Sequence, residues 1–220
     1  VLSLLLMAAS MVDWVPARWN SNDPASLELV AQTPVNCLLL EQRLWSGTFA
    51  REAASRGVAV LGVIRPEDDP IEAARLALQA KLAGVILEGD FDAAVAGRIS
   101  SLIAESGAAV IELPPRSRVA LVGGAPIAGT CHGIWPGVRA EEKGAVKAAP
   151  TGGPWIDTNS GFLRFLRAAT EVPVWIAYSP PPKTVIPVAR YLQAISDAAS
   201  AGARWIVSLD IDFERRLLAR

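Results

Sequence analysis

The sequence predicts an α/β fold of the (β/α)8 TIM-barrel type, present as about seven βα units and therefore incomplete. Uninterrupted apolar runs alternate with amphipathic helical stretches from residue 35 onward. This alternation is typical of parallel strands that are covered on both faces. The main competitor, an open doubly wound sheet, is disfavoured because no G-x-G-x-x-G follows the first predicted strand.

The predicted strands consist mostly of Val, Ile, Leu and Ala, without polar alternation. In chain order they are residues 35–41, 58–64, 84–88, 108–113, a weaker run at 126–131, 172–178 and 203–210. Seven strands are one short of a (β/α)8 barrel, and only ten residues follow Asp210. We therefore expect either a truncated chain or an eighth strand formed by the N-terminal apolar run.

Amphipathic stretches between these strands predict helices. They are residues 49–56, 71–82, 91–106, 161–169 and 187–201. Asp69 followed by Pro70 predicts an N-cap and the first position of a helix. Asp90 and Asp212 are expected to cap helices too. Glycines before strands are expected to end the preceding helices in the left-handed conformation; they are Gly57, Gly84, Gly107 and Gly202.

The composition suits one large domain, because 51% of the 220 residues are hydrophobic and 20% are charged. We expect that domain to span residues 11–220 and to be C-terminally truncated. Residues 1–10, VLSLLLMAAS, combine a short apolar run with small residues. This pattern predicts a signal-peptide remnant and a secreted or periplasmic protein; the alternative is a buried element of the domain. No later stretch is long enough to span a membrane.

Charge and cysteine content exclude several classes of protein. Lysine and arginine (21) nearly balance aspartate and glutamate (22), so no nucleic-acid partner is expected. Cys37 and Cys131 are too few for a disulfide framework and are expected to be buried free thiols. The sequence does not indicate an oligomeric state.

Residues 126–159 are rich in Gly, Pro and Trp and lack a helical period, so we expect a long loop. Its tryptophans must find an apolar surface. We predict that the loop folds over the carboxyl ends of the strands and brings Trp135, Trp155 and Asp157 there.

Carboxylates follow the apolar runs repeatedly along the chain. They are Glu41, Glu88, Asp90, Glu112, Asp210 and Asp212. The carboxyl ends of barrel strands share one mouth, so these acids are expected to converge there. Loop residues are expected to join them, namely Arg43, Arg65, Arg139 and Asp157. For any single acid, a helix cap or a salt bridge remains an alternative to a catalytic role.

The remaining residue types narrow the chemistry. His132 is the only histidine, which disfavours Ser-His-Asp triads and multi-histidine metal sites. The four lysines lie on predicted helices or loops, which disfavours Schiff-base catalysis. Paired carboxylates and aromatic rings remain, and glycoside hydrolysis uses both. We therefore predict a carbohydrate ligand without a cofactor or metal; a magnesium site at Glu88, Glu112 and Asp210 stays open.

Several segments resemble a known family. They are DWVPARW, PVNCLLLE, GTCHGIWPG, PTGGPWIDTNSGFLRF and RYLQAISDAASAGARWIVSLD. Together they are similar to an uncharacterised group of secreted bacterial proteins regarded as glycoside-hydrolase-like TIM barrels. In retaining barrel glycosidases the acid/base follows strand four and the nucleophile follows strand seven. On the strand count above, the resemblance implies Glu112 and Asp210 for these roles, although that class commonly has Asn-Glu at strand four and Glu at strand seven.

The prediction is thus a glycoside-hydrolase-like barrel in which Glu112 and Asp210 are catalytic. The alternative is a non-catalytic carbohydrate-binding barrel module. The predicted substrate-binding residues are Glu41, Arg43, Trp45, Glu88, Trp135, Arg139, Trp155 and Asp157.

Overall fold

The computed structural model describes residues 10–119, 126–136, 139–142, 145–148, 159–181 and 184–218. Its strands are β1 Pro16–Arg18, β2 Cys37–Leu40, β3 Ala59–Ile64, β4 Gly84–Glu88, β5 Ala109–Leu113, β6 Ala128–Thr130, β7 Arg139–Glu142, β8 Ala145–Ala148, β9 Val174–Ile176 and β10 Ala203–Trp205. Its α-helices are α1 Gly47–Ser55, α2 Pro70–Gln79, α3 Ala93–Ala104, α4 Asn159–Ala169, α5 Val188–Ser200 and α6 Ile211–Leu218.

The strands form two parallel sheets and one hairpin. The larger sheet has the order β1-β2-β3-β4-β5, and the smaller has the order β10-β9-β6. Parallel register aligns Arg18 with Leu39 and Leu39 with Leu61. Strands β7 and β8 form the antiparallel hairpin. Parallel pairing across short crossovers places the carboxyl ends of neighbouring strands along the same edge of each sheet.

The α/β fold of the TIM-barrel type is confirmed. Among the described residues, the parallel strands belong to two separate sheets and do not form one continuous sheet. The structure adds one strand that the sequence analysis did not count, β1, which pairs with β2. This strand is only three residues long and begins with Pro16, so it lacks the apolar run that marks the others.

The prediction of one irregular loop over residues 126–159 is wrong in part. This stretch contains β6, as the weaker apolar run predicts, and also the β7–β8 hairpin. Helix α4 begins at Asn159, two residues before its predicted start. Trp155 and Asp157 lie outside the described residues, as do residues 1–9 of the predicted signal peptide.

The helix caps follow the prediction at one position and differ at two. Asp69 accepts a hydrogen bond from Glu72 N, and Pro70 is the first residue of α2, as predicted. The cap of α3 is Asp92 and not Asp90. The cap of α6 is Asp210 and not Asp212, because the Asp210 carboxylate accepts the exposed amides of the first helical turn.

By its contacts the chain divides into two compact units. Unit 1 comprises Val1–Leu87 and Phe91–Ile111, and unit 2 comprises Glu88–Asp90 and Glu112–Arg220. The core of unit 1 packs β2, β3 and β4 residues such as Leu38, Val60 and Val85 against α1, α2 and α3. The core of unit 2 packs β9 and β10 against α4 and α5, with Trp135 and Trp205 buried among them.

The cysteines are free, as predicted. Cys37 is buried at the start of β2, and burial raises the pKa of its thiol far above the ordinary value. Cys131 is only partly buried. No described helix has both the length and the apolar character that crossing a bilayer requires.

Glycine serves two different purposes before the strands. Gly57, Gly107 and Gly202 have φ between 72° and 75°, so they end helices as predicted. Gly84 does not adopt a positive φ, which corrects its predicted role. A Cβ at Gly84 would overlap the carbonyl oxygen of Ala109 and lie 2.8 Å from the Ala109 Cβ. Gly84 therefore allows β4 and β5 to approach closely.

We expect Gly84→Ala to lower the free energy of unfolding by about 1 to 3 kcal/mol, because the backbone must shift to admit the methyl group. Gly97→Ala is the matched control: it lies inside α3, and no atom beyond its chain neighbours and the α3 backbone lies within 4 Å of its added Cβ. That variant should gain about 0.5 to 1 kcal/mol. Urea unfolding of both variants measures the difference, and equal stabilities would contradict the close approach.

Candidate functional site

A pocket of about 800 Å³ opens on unit 1 beside the carboxyl ends of β2 and β3. Its volume falls within the range of ligand sites in proteins. The side chains that give it chemical character are Glu41, Arg43, Trp45, Arg65, Asp68 and Gln79. Three of these, Glu41, Arg43 and Trp45, are predicted substrate-binding residues, so the structure brings that part of the predicted set together.

The centre of the pocket is an ion pair between the residues that directly follow two adjacent strands. Arg65 donates to both oxygens of Glu41, at 2.5 Å and 2.8 Å. Arg18, the last residue of β1, lies 3.5 Å from Glu41 Oε1. The three side chains therefore come from three neighbouring strands of one sheet. Bidentate pairing fixes the planes of the carboxylate and the guanidinium.

These arginines keep Glu41 ionised. The hydrogen bond from Arg65 is the largest influence and lowers the pKa of Glu41, whereas partial burial raises it. The charges of Arg65, Arg18 and Arg43 lower it further, and the net effect is a pKa below the usual value. Glu41 is thus an acceptor at neutral pH and has no proton to donate.

Two further polar groups of the pocket are also held in place. Arg65 N donates to Asp68 Oδ2 at 3.0 Å, which closes the turn after β3. Trp45 Nε1 donates to Leu40 O at 2.9 Å. The Trp45 ring lies against Gly62, where an added Cβ would be 2.6 Å from Trp45 Cζ2. The indole therefore forms a fixed wall of the pocket.

Asp210, a predicted catalytic residue, lies in a buried network of unit 2. Its residue is 3% exposed. Oδ2 accepts from Ile186 N at 3.2 Å and from Tyr191 Oη at 2.9 Å. Oδ1 accepts from Asp212 N at 3.2 Å and from Phe213 N at 3.0 Å. Four donors occupy the carboxylate, so this geometry gives it a structural role and leaves no access for a substrate.

Opposing effects set the ionisation of Asp210. Burial is the largest influence and raises its pKa, but the hydrogen bonds from Phe213, Tyr191, Ile186 and Asp212 together outweigh it. The result is a pKa below the usual value. Burial raises the pKa of Tyr191, so its hydroxyl remains protonated and can donate to Asp210.

Glu112, the other predicted catalytic residue, is exposed near the end of β5. Side chains alternate between the two faces of a strand. Glu112 therefore shares a face with Val110, which packs against the helix-covered core. On β4, Val85 and Leu87 occupy that core-facing side, so Glu88 lies on the other face. Glu88 and Glu112 consequently point to opposite sides of the sheet.

The additional strand β1 also changes the basis of the catalytic assignment. With β1 counted, Glu112 lies on the fifth parallel strand and Asp210 follows the eighth. The strand-four position belongs to Glu88. The seventh parallel strand, β9, is followed by Ala177, Tyr178 and Ser179, none of which is an acid. The numbering of the strands that precede Glu112 and Asp210 is therefore corrected, because it depended on the strand that was missed, and their catalytic role stays a prediction.

The remaining predicted residues are not assembled into a described site. Trp135 is 2% exposed and packs edge-on against Trp205 and Tyr191, so its ring is part of the unit 2 core. This corrects the expectation that Trp135 faces a ligand. Arg139 begins β7, but its side chain lies outside the described part of the chain. Asp90 forms a 2.9 Å ion pair with Arg118.

Two polar features escaped the sequence analysis. Arg18 was missed together with β1, because no apolar run marks that strand. The second is a clamp around Asn159, whose amide accepts from Ile134 N at 3.0 Å and donates to Ile134 O at 2.7 Å. Arg116 donates to Asn159 Oδ1 and to His132 O, each at 2.6 Å. The clamp fixes the segment that follows β6.

No protein-family model matches the chain. No curated protein matches it either. A solved structure of the glycoside hydrolase domain of PelA from Pseudomonas aeruginosa matches with a TM-score of 0.56 at 14% identity. The match covers 89% of this chain and 94% of that one. The chain is similar to that domain in fold. A glutamate-to-alanine variant of the same domain gives the same TM-score, identity and coverage.

We expect Asp210→Asn to lower the free energy of unfolding at pH 7 by about 2 kcal/mol or more, because an amide cannot accept all four hydrogen bonds. The folded pKa lies below the unfolded value of about 3.9, so the carboxylate stabilises above that pH and loses its contribution as pH falls through the folded pKa. Urea unfolding from pH 7 to pH 3 should show the difference between wild type and variant shrinking below about pH 4. Asp197→Asn on α5 is the control, and a constant difference across this range would contradict the network.

Proposed function

We propose that this chain binds a carbohydrate in the pocket of unit 1. The observation that carries the proposal is the fixed row of Arg18, Glu41 and Arg65 at the carboxyl edge of three adjacent strands. In TIM-type folds this edge is where functional sites lie. The likeness to a glycoside hydrolase domain supports the same class of ligand.

The chemistry of the pocket suits a sugar. Sugar hydroxyls both donate and accept hydrogen bonds, and the pocket offers a carboxylate acceptor at Glu41 and an amide at Gln79. Sugar rings also present apolar faces, which the wall formed by Trp45 and Leu76 can cover. Glu41, Arg65 and Trp45 are held before a ligand arrives, which reduces the entropy lost on binding.

We expect an immobilised glycan panel to retain the chain, and Glu41→Gln to weaken that binding about tenfold, since a charged acceptor is lost. Gln79→Ala should weaken it with no change in melting temperature, because this exposed side chain ends α2. Glu72→Gln is the control: Glu72 forms only a surface ion pair with Arg75, at 3.3 Å. Binding that Glu41→Gln and Gln79→Ala leave unchanged would place the ligand elsewhere.

A catalytic form of the proposal is hydrolysis of a glycosidic bond by paired carboxylates. One observation favours it: with β1 counted, Glu88 ends the fourth parallel strand, where retaining barrel glycosidases carry their acid/base. In this form Glu88, which belongs to unit 2, protonates the leaving oxygen while a second carboxylate takes the proton of the attacking water. Glu112 and Asp210 remain the pair that the sequence predicts. Because Asp210 is buried, this pair has less support than the binding proposal.

Turnover of the retained glycans separates these alternatives. If Glu88 is the general acid, Glu88→Gln should lower the rate about 100-fold or more. Glu112→Gln should leave the rate within about twofold, because its side chain lies on the opposite face of the sheet. A rate loss confined to Glu112→Gln would restore the sequence prediction. Binding without measurable turnover would leave the chain a carbohydrate-binding protein.

A further inference from the structure

We infer that the sugar bound in the unit 1 pocket carries a carboxylate, as a uronic acid does. This inference rests on the proposed function and names the substrate class of the same site. It starts from the arginines around Glu41: the charges of Arg65, Arg18 and Arg43 all act on this carboxylate, and Arg43 and Arg65 line the pocket with it.

Of these three arginines, Arg43 is the most exposed and lines the pocket. Glu41 is already paired with Arg65 through two hydrogen bonds and lies beside Arg18. Asp68 accepts the backbone amide of Arg65. Arg43 is exposed in the pocket and makes no ion pair with any residue that the structure describes, although its charge helps to lower the pKa of Glu41.

A guanidinium with open donors selects a particular partner. Its planar fork matches the two oxygens of a carboxylate, and such bidentate pairs are stronger than neutral hydrogen bonds. Arg43 belongs to the 3-10 helix Gln42–Leu44, two residues from the fixed Trp45. The charged fork and the apolar wall therefore enter the pocket from one short segment. A sugar ring that packs against this wall can direct its carboxylate toward Arg43. A neutral sugar has no carboxylate to pair with the guanidinium.

The test is calorimetric titration of the full chain with trigalacturonate and triglucuronate, each compared with its methyl ester. The esters keep the rings and hydroxyls but lose the charge. We expect an acid form to bind at least tenfold more tightly than its ester. Arg43→Gln should remove that preference by weakening the binding of the acid form. Raising the salt concentration should weaken binding of the acid form more than binding of the ester.

Arg51→Gln is the matched control, because Arg51 is an exposed arginine of α1 that does not line the pocket. It removes the same charge and should preserve the preference for the acid form. Equal binding of acid and ester, or an unchanged preference in Arg43→Gln, would overturn the inference while leaving the proposed function in place. Tighter binding of a sulfated trisaccharide than of either uronate would overturn the carboxylate assignment. Failure of this panel and of the neutral glycans to bind would overturn the proposed function and the inference together.

Discussion

Parallel pairing of short strands is the constraint on which the candidate site depends. In the larger sheet, register aligns Arg18 with Leu39 and Leu39 with Leu61, so the residues at the ends of β1, β2 and β3 emerge along one edge. Glu41 and Arg65 then meet without any contribution from a long loop. The sheet is rigid because its core-facing side chains are fully buried. It therefore fixes the ion pair that shapes the pocket.

Unit 2 uses a carboxylate in the opposite way. Asp210 also follows a strand, yet its oxygens turn inward to Ile186, Tyr191 and the first turn of α6. One buried group thus connects the segment after β10 with two helices. A carboxylate that follows a strand thus lines an open pocket in one unit and belongs to an interior network in the other. Solvent access and local donors distinguish the two roles, and residue identity does not.

The sequence predicts the fold well because long apolar runs and helical periodicity can be recognised without tertiary information. Strand β1 was missed because its three residues, PAR, form no apolar run. The predicted number of parallel strands was therefore one too low. Glu41, Arg43 and Trp45 could be grouped because they follow one strong strand directly. Asp210 and Trp135 could not be placed, since donors from distant residues and packing in the core determine their burial. That Glu88 and Glu112 lie on opposite faces of the sheet could be deduced only from the exact strand bounds.

The contact between Trp45 and Gly62 links the pocket wall to the interior of β3. The indole occupies the space that any side chain at position 62 would need. A larger residue there would displace the ring and, with it, the 3-10 segment that carries Arg43. The two positions are thus expected to change together during divergence. A homologue that acquires a side chain at the glycine position would have to remodel its ligand specificity as well.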